Sequence, residues 1–219
     1  MSVITLTTGT PGFIASPSDR QPVGGLVLWP DILGLRPLFE SHAQRLADDH
    51  GWSVCAIEMF PGQETLPVNE RHGAAAAFDD AAKLADVEAA IDALGVTSVG
   101  VLGFCMGGMY AMKALASPRV TRAAAFYGMV RVPDGWAGDG QGDAIDVVRE
   151  RPGDLLALFG TDDPWCPLNE IDELEATGAH VIRYEGADHG WAQDPGRENY
   201  RPVDAADAWE RAERFLGGG

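Results

Sequence analysis

Basic residues are scarce in this chain of 219 residues: 16 Lys and Arg stand against 33 Asp and Glu, a formal net charge of −17. A surface so short of positive charge cannot neutralise a phosphodiester backbone or an anionic bilayer, so neither nucleic acid nor membrane is expected as a partner. Long hydrophobic runs are missing as well. No apolar stretch reaches the ~18 residues a membrane span needs, and no basic-then-apolar leader opens the chain, so the cytoplasm is the expected compartment. Cysteine is equally thin. Cys55, Cys105 and Cys166 lie too far apart for a disulfide framework, and no Cys and His cluster at ligand spacing, so neither metal nor cofactor is expected. Internal repeats and low-complexity tracts are absent. What remains, 46% apolar residues with 27 Gly and 14 Pro, describes a loop-rich globular protein. Its length suits one α/β domain over residues 1–219.

Hydrophobic periodicity divides the chain into alternating elements. Strands are expected at Val3–Thr7, Phe13–Ala15, Gly24–Trp29, Trp52–Ile57, Val96–Leu102, Arg122–Tyr127, Asp154–Phe159 and His180–Tyr184. Helices are expected at Arg36–His50, Asp79–Leu94, Met109–Ala116, Leu168–Thr177 and from Pro202 to about Leu216. Gly95 and Gly178 follow two of these as C-terminal stops. Residues 58–78 and 128–153 read as loops, the second with a short helix near 143–149. The alternation implies a mostly parallel sheet of about eight strands covered on both faces, with no room for a separate lid domain.

Residues 96–108, VTSVGVLGFCMGG, organise the rest. A buried strand runs straight into Gly103-Phe104-Cys105-Met106-Gly107-Gly108 and then a helix. Strand, sharp turn and helix around a central nucleophilic residue form the setting of a nucleophile elbow. There the helix N-terminus favours a thiolate or an oxyanion. Two blander readings stand beside it: a buried cysteine as apolar filler, and a Gly-rich phosphate loop. The last lacks both the Lys-[Ser/Thr] ending and the G-x-G-x-x-G spacing.

Chain order then bears on the choice. Asp162 and Asp163 follow the Asp154–Phe159 strand, and His189 follows the His180–Tyr184 strand, each at a carboxyl end where open α/β sheets bind ligands. Taken singly, the aspartates could cap the next helix and the histidine could be surface decoration. Together with Cys105 they complete the nucleophile–acid–histidine order of an α/β-hydrolase. Cys166 reads as packing, and Met106, Met109 and Met112 as core.

With Gly103–Gly108, Asp163-Pro164-Trp165-Cys166-Pro167 and His189-Gly190-Trp191 in view, the chain resembles the dienelactone hydrolase family, small α/β-hydrolases with a cysteine nucleophile. The resemblance implies Asp163, rather than Asp162, as the acid beside His189 and Cys105. It implies backbone N–H groups of Ile32 and Met106 as the oxyanion hole, and Asp31 as an acid that contacts and modulates the resting thiolate. Of the two arginines that hold a substrate carboxylate in the family, Arg71 matches the first, whereas Gln193 stands at the second. That departure removes a strong charge-assisted contact. Trp29, Phe104, Trp165 and Trp191 are expected as aromatic walls around the substrate. The activity implied is hydrolysis of a carboxylic ester or lactone through an acyl-cysteine. The alternatives are a hydrolase of other small neutral esters, or a catalytically idle member that serves as a binding protein. Separately, a monomer is expected because no exposed apolar helix face stands out in the sequence.

Overall fold

The computed structural model describes residues 2–218. Eight strands form one sheet: β1 (Ser2–Thr5), β2 (Pro11–Ala15), β3 (Gly24–Trp29), β4 (Trp52–Ile57), β5 (Val99–Phe104), β6 (Val120–Phe126), β7 (Leu155–Gly160) and β8 (His180–Tyr184). Their spatial order is β1-β2-β4-β3-β5-β6-β7-β8. The β1–β2 and β2–β4 pairings are antiparallel, and every later pairing is parallel. Seven helices accompany them: α1 (Pro37–His50), α2 (Val68–Ala74), α3 (Asp80–Leu94), α4 (Met106–Lys113), α5 (Ala144–Val148), α6 (Leu168–Ala176) and α7 (Pro202–Leu216). This is the α/β-hydrolase fold, a mostly parallel eight-stranded sheet flanked by helices, with no separate lid domain.

The central strands carry no alternation because both faces are covered: all six residues of β5 and all six of β7 are buried. The helices start and stop where local chemistry directs. Pro37 opens α1, Asp79 caps α3 by accepting the Ala82 N–H at 2.9 Å, and Gly95 ends α3 at φ 68°.

Boundaries differ from expectation in informative places. Val96 is tied to the end of α3 by its N–H to the Ile91 carbonyl, so β5 starts at Val99 and runs on through Gly103 and Phe104. Tyr127 leaves the sheet, with φ 39° and its N–H on the Leu158 carbonyl at 2.8 Å. The stretch 58–78 is not all loop: it holds α2 and a 3-10 turn at Ala75–Ala77. An isolated seven-residue helix is marginal, so α2 owes its form to packing that local propensity does not reveal.

Candidate active site

The elbow follows from three close approaches of backbone. Cys105 sits between β5 and α4 with φ 57° and ψ −123°, a conformation that side-chain-bearing residues rarely adopt. Its N–H donates to the Phe126 carbonyl at 3.0 Å, and its carbonyl accepts from Met109 at 3.1 Å. A Cβ on Gly103 would collide with the Gly107 carbonyl, and one on Gly107 with the carbonyls of Trp29 and Pro30. Only glycine lets α4 begin directly after Cys105 and press against the end of β3. For that reason α4 starts at Met106 rather than at Met109.

Asp163 projects from the loop after β7 with its carboxylate enclosed. One oxygen accepts the Trp165 N–H at 2.8 Å, and the other lies 2.7 Å from His189 Nδ1. Asp162 is exposed and accepts only the Thr161 hydroxyl, at 3.3 Å. His189 is further fixed through its backbone, its N–H on Asp188 at 2.6 Å and its carbonyl held by the Asn199 side chain. The hydrogen bond at Nδ1 leaves Nε2 as the free end of the ring. That atom is buried without a hydrogen-bond partner.

Two thiols face this ring. Burial works to lower the His189 pKa, but the charge of Cys105 and the contacts with Asp163, Cys105 and Cys166 outweigh it and hold the imidazole well above its ordinary value. Ligating atoms of Asp163, Cys166 and His189 fall within 4.8 Å of one another, a Cys–His–Asp cluster in its own right. The environments of the two sulfurs differ. Cys166 is buried, and desolvation pushes its thiol up to about 12. Cys105 is half-buried and opens onto a cleft of about 430 Å³ that His189 also lines.

Of the two residues expected to supply the oxyanion hole, Ile32 lines the same cleft and Met106 is buried at the start of α4. The carbonyl of the Asp31–Ile32 peptide accepts the Gly34 N–H at 2.9 Å, which turns the Ile32 N–H the opposite way. Met106 supplies the first N–H of α4, one of the donors a helix leaves unpaired.

Other expected site residues are placed differently. Asp31 lines the cleft, but its carboxylate is engaged elsewhere than at Cys105. Arg36 grips both oxygens, at 2.6 and 2.9 Å, the Leu33 N–H adds a bond at 2.9 Å, and Gln193 donates at 3.2 Å. Gln193 is fully buried and bridges Tyr127 to Asp31, so it lies behind the cleft wall. Arg71 is also buried. Its guanidinium donates to the carbonyls of Leu66, Ile32 and Glu64 and so clamps the excursion around α2 to the loop that follows β3. Three backbone acceptors within reach satisfy it more cheaply than exposure to the cleft would. Trp191 packs between Tyr127 and Tyr184 in the core, and Trp29 and Phe104 are fully buried too. Of the four expected aromatic walls only Trp165 lines the cleft, 40% exposed.

Residues not singled out from the sequence complete the cleft: Leu33, Arg36, Val68, His72, Trp136, Asp194 and Arg197. His72 and Trp136 come from the two stretches that read as loops. Their rings and that of Trp165 form a triangle with every centroid separation at 5.6 Å. A tryptophan in an otherwise acidic, Gly-rich loop was the available signal for Trp136.

The dienelactone hydrolase family model matches residues 10–218. The chain is 30% identical over 221 residues to a carboxymethylenebutenolidase of Pseudomonas putida, covering 93% of this chain and 89% of that one. It is 28% identical over 229 residues to a carboxymethylenebutenolidase of Rhodococcus opacus, covering 94% and 88%. Among solved structures, one carrying the dienelactone hydrolase name from Klebsiella pneumoniae overlays with a TM-score of 0.83 at 21% identity, covering 100% of this chain and 99% of that one. A dienelactone hydrolase-like promiscuous phosphotriesterase from metagenomic libraries overlays at 0.76 and 20% identity, covering 99% and 97%.

Proposed function

The chain belongs to the dienelactone hydrolase family, whose α/β-hydrolase fold and cysteine-dependent ester chemistry it shares, and we propose that it hydrolyses a small carboxylic ester or lactone through Cys105, His189 and Asp163. The observation that carries this reading is the elbow: Cys105 is the thiol that both meets His189 and opens to the cleft. The match over residues 10–218 supports treating the chain as one catalytic unit.

The thiolate of Cys105 attacks the carbonyl carbon, and the N–H groups of Ile32 and Met106 receive the oxyanion. As the tetrahedral intermediate collapses, the C–O bond breaks and the departing alkoxide takes the proton from His189 Nε2. Neutral His189, oriented by Asp163, then removes a proton from water, and the hydroxide attacks the acyl-cysteine. Collapse releases the acid and restores the thiolate beside the imidazolium, while the acid's own proton passes to solvent. With a lactone both products stay in one molecule, a ring-opened hydroxy acid.

The elevated His189 pKa supports an enzyme rather than an idle binding protein, because a thiolate–imidazolium pair is the state that attacks. Replacing Cys105 with Ala is expected to abolish turnover of aryl esters with an unchanged circular dichroism spectrum. Cys166→Ala is expected to retain measurable turnover; the reverse pattern would transfer the nucleophile to Cys166. Iodoacetamide labelling at pH 7, mapped by peptide mass, should fall on Cys105.

No helix among the described residues is long and apolar enough to cross a membrane. A cytoplasmic monomer is the reading we favour, and light scattering of the eluting peak tests the second part. Three of the exposed large apolar side chains, Leu33, Val68 and Trp165, gather at the cleft, which supports a small-molecule site there rather than a subunit interface.

A further inference from the structure

Cys166 takes part in no step of the hydrolysis, yet it stands at the catalytic histidine. A buried thiol is ordinarily apolar filler, and Cys166 is only 1% exposed. Filler has no need, however, to sit where its sulfur, a ring nitrogen of His189 and an oxygen of Asp163 all fall within 4.8 Å of one another. Cys105 meets the same ring and opens onto the cleft. Two sulfurs from separate turns of the chain therefore converge on one imidazole. Neither is in a disulfide.

The imidazole itself is set up as a ligand. Nδ1 lies 2.7 Å from Asp163, whereas Nε2 is buried with no hydrogen-bond partner among the described residues. Metal-binding histidines share this arrangement: a carboxylate holds the proton on one nitrogen, fixes the ring and makes the other nitrogen a better donor. An imidazole nitrogen beside two thiolates is a donor set for Zn²⁺ and other thiophilic divalent cations. Mg²⁺ and Ca²⁺, which take oxygen ligands, do not suit it. With metal–ligand bonds of about 2.0–2.3 Å, neighbouring donors in a tetrahedral site stand about 3.5 Å apart. Thiols already gathered at the ring reach that spacing by small side-chain rotations. Entry is available from the cleft on the Cys105 side, and a chain with 33 acidic against 16 basic residues draws cations toward it.

We propose that Cys105, Cys166 and His189 Nε2 form an inhibitory site for Zn²⁺ or a cation of the same thiophilic class, with Asp163 supporting the ring through Nδ1. Cys105 enters as the thiolate. Binding expels the protons of the Cys166 thiol and of Nε2 to solvent and forms two metal–sulfur bonds and one metal–nitrogen bond, with water from the cleft as fourth ligand. No oxidation or reduction is involved. The ion occupies the nucleophile and the proton carrier together, so hydrolysis stops until it is withdrawn. The inhibition rests on the hydrolase reading, but the binding does not. Ligand spacing in the sequence gave no sign of this site, because the three residues leave different strands and meet only at the sheet edge.

The test titrates Zn²⁺ against hydrolysis of 4-nitrophenyl butyrate. Wild type is expected to be inhibited, with activity restored by EDTA and unaffected by Mg²⁺. Cys166→Ala should raise the inhibition constant about tenfold or more, since loss even of an outer partner of a metal site costs that much. Cys166→Val, which fills the same buried space without a ligand, should do the same. An inhibition constant within twofold of wild type in both variants overturns the proposal, because the nucleophile alone would then hold the ion. Absorption of bound Co²⁺ separates the site from the hydrolase reading, since it needs no turnover. At saturating Co²⁺ the thiolate-to-metal charge-transfer band should persist in Cys105→Ala at about half its wild-type intensity, as one sulfur of two remains. It should vanish when Cys105 and Cys166 are both replaced by Ala. A band lost with Cys105→Ala alone refutes the role of Cys166, and a band that survives the double replacement places the ion elsewhere and refutes the site.

Discussion

At the scale of single residues, the site depends on a contest between burial and charge at His189. Burial favours the neutral imidazole, and the neighbouring thiolate and carboxylate favour the charged one. Among the groups raising the pKa, Cys105 is foremost, so Cys105→Ala should drop the His189 pKa markedly toward or below its ordinary value, read by NMR titration of the ring. An unchanged titration would show that Asp163 and Cys166 suffice to maintain the imidazolium. The pair also links pH to stability. Because the folded pKa lies above that of the unfolded chain, the stabilisation is complete below about pH 6.5 and fades as pH rises through the folded value. Denaturant midpoints of wild type should therefore decline across that range more steeply than those of Cys105→Ala. Arg71 illustrates the opposite outcome for a charged residue. Its sequence position matched a ligand-binding role, yet three carbonyls within reach turned it into a clamp.

At the scale of elements, the β5–α4 elbow and α3 each carry a cost that sequence pattern conceals. Gly107 lies against the backbone of Trp29 and Pro30 with no space for a methyl group. Gly107→Ala should lower stability by about 1–3 kcal/mol, as overpacking of a tight interior does, and should reduce turnover further by displacing Met106. Thermal unfolding with parallel kinetics reads both effects. In α3, Lys83 is buried against the rings of Phe78 and Trp29 and donates to the Met59 carbonyl at 2.6 Å. Desolvation lowers its pKa to about 8, although Asp86 and Glu58 pull it upward. From about pH 8 to the ordinary lysine value the unfolded chain holds a proton that the folded chain has lost. Stability contributed by this residue therefore rises with pH across that window. Lys83→Met should remove that slope, measured as urea midpoints at pH 7, 8.5 and 9.5. A slope that persists in the variant would assign it to other groups.

At the scale of the whole molecule, a net charge of −17 opposes compaction through self-repulsion. Added sodium chloride should raise the melting temperature of the wild type at neutral pH; a flat response would mean that the surface ion pairs already offset the excess. The sheet order explains why Cys105, Asp163 and His189 meet at all. β5, β6, β7 and β8 are adjacent and parallel, so the loops leaving their carboxyl ends share one edge.

Sequence alone determined the parts governed by local chemistry. Strand and helix periods, the glycines of the elbow and the order of cysteine, aspartate and histidine are visible because short-range sterics and hydrophobic alternation dictate them. Tertiary structure decided what depends on distant partners. Tyr127 and Asp31 lie 66 and 162 positions from Gln193, yet they fix it as an internal bridge. His72 and Trp136, 64 positions apart, meet only when two irregular stretches fold over the same edge. Whether an arginine binds substrate or braces a loop is settled by which acceptors surround it. No local pattern encodes that set, because it is assembled by the fold.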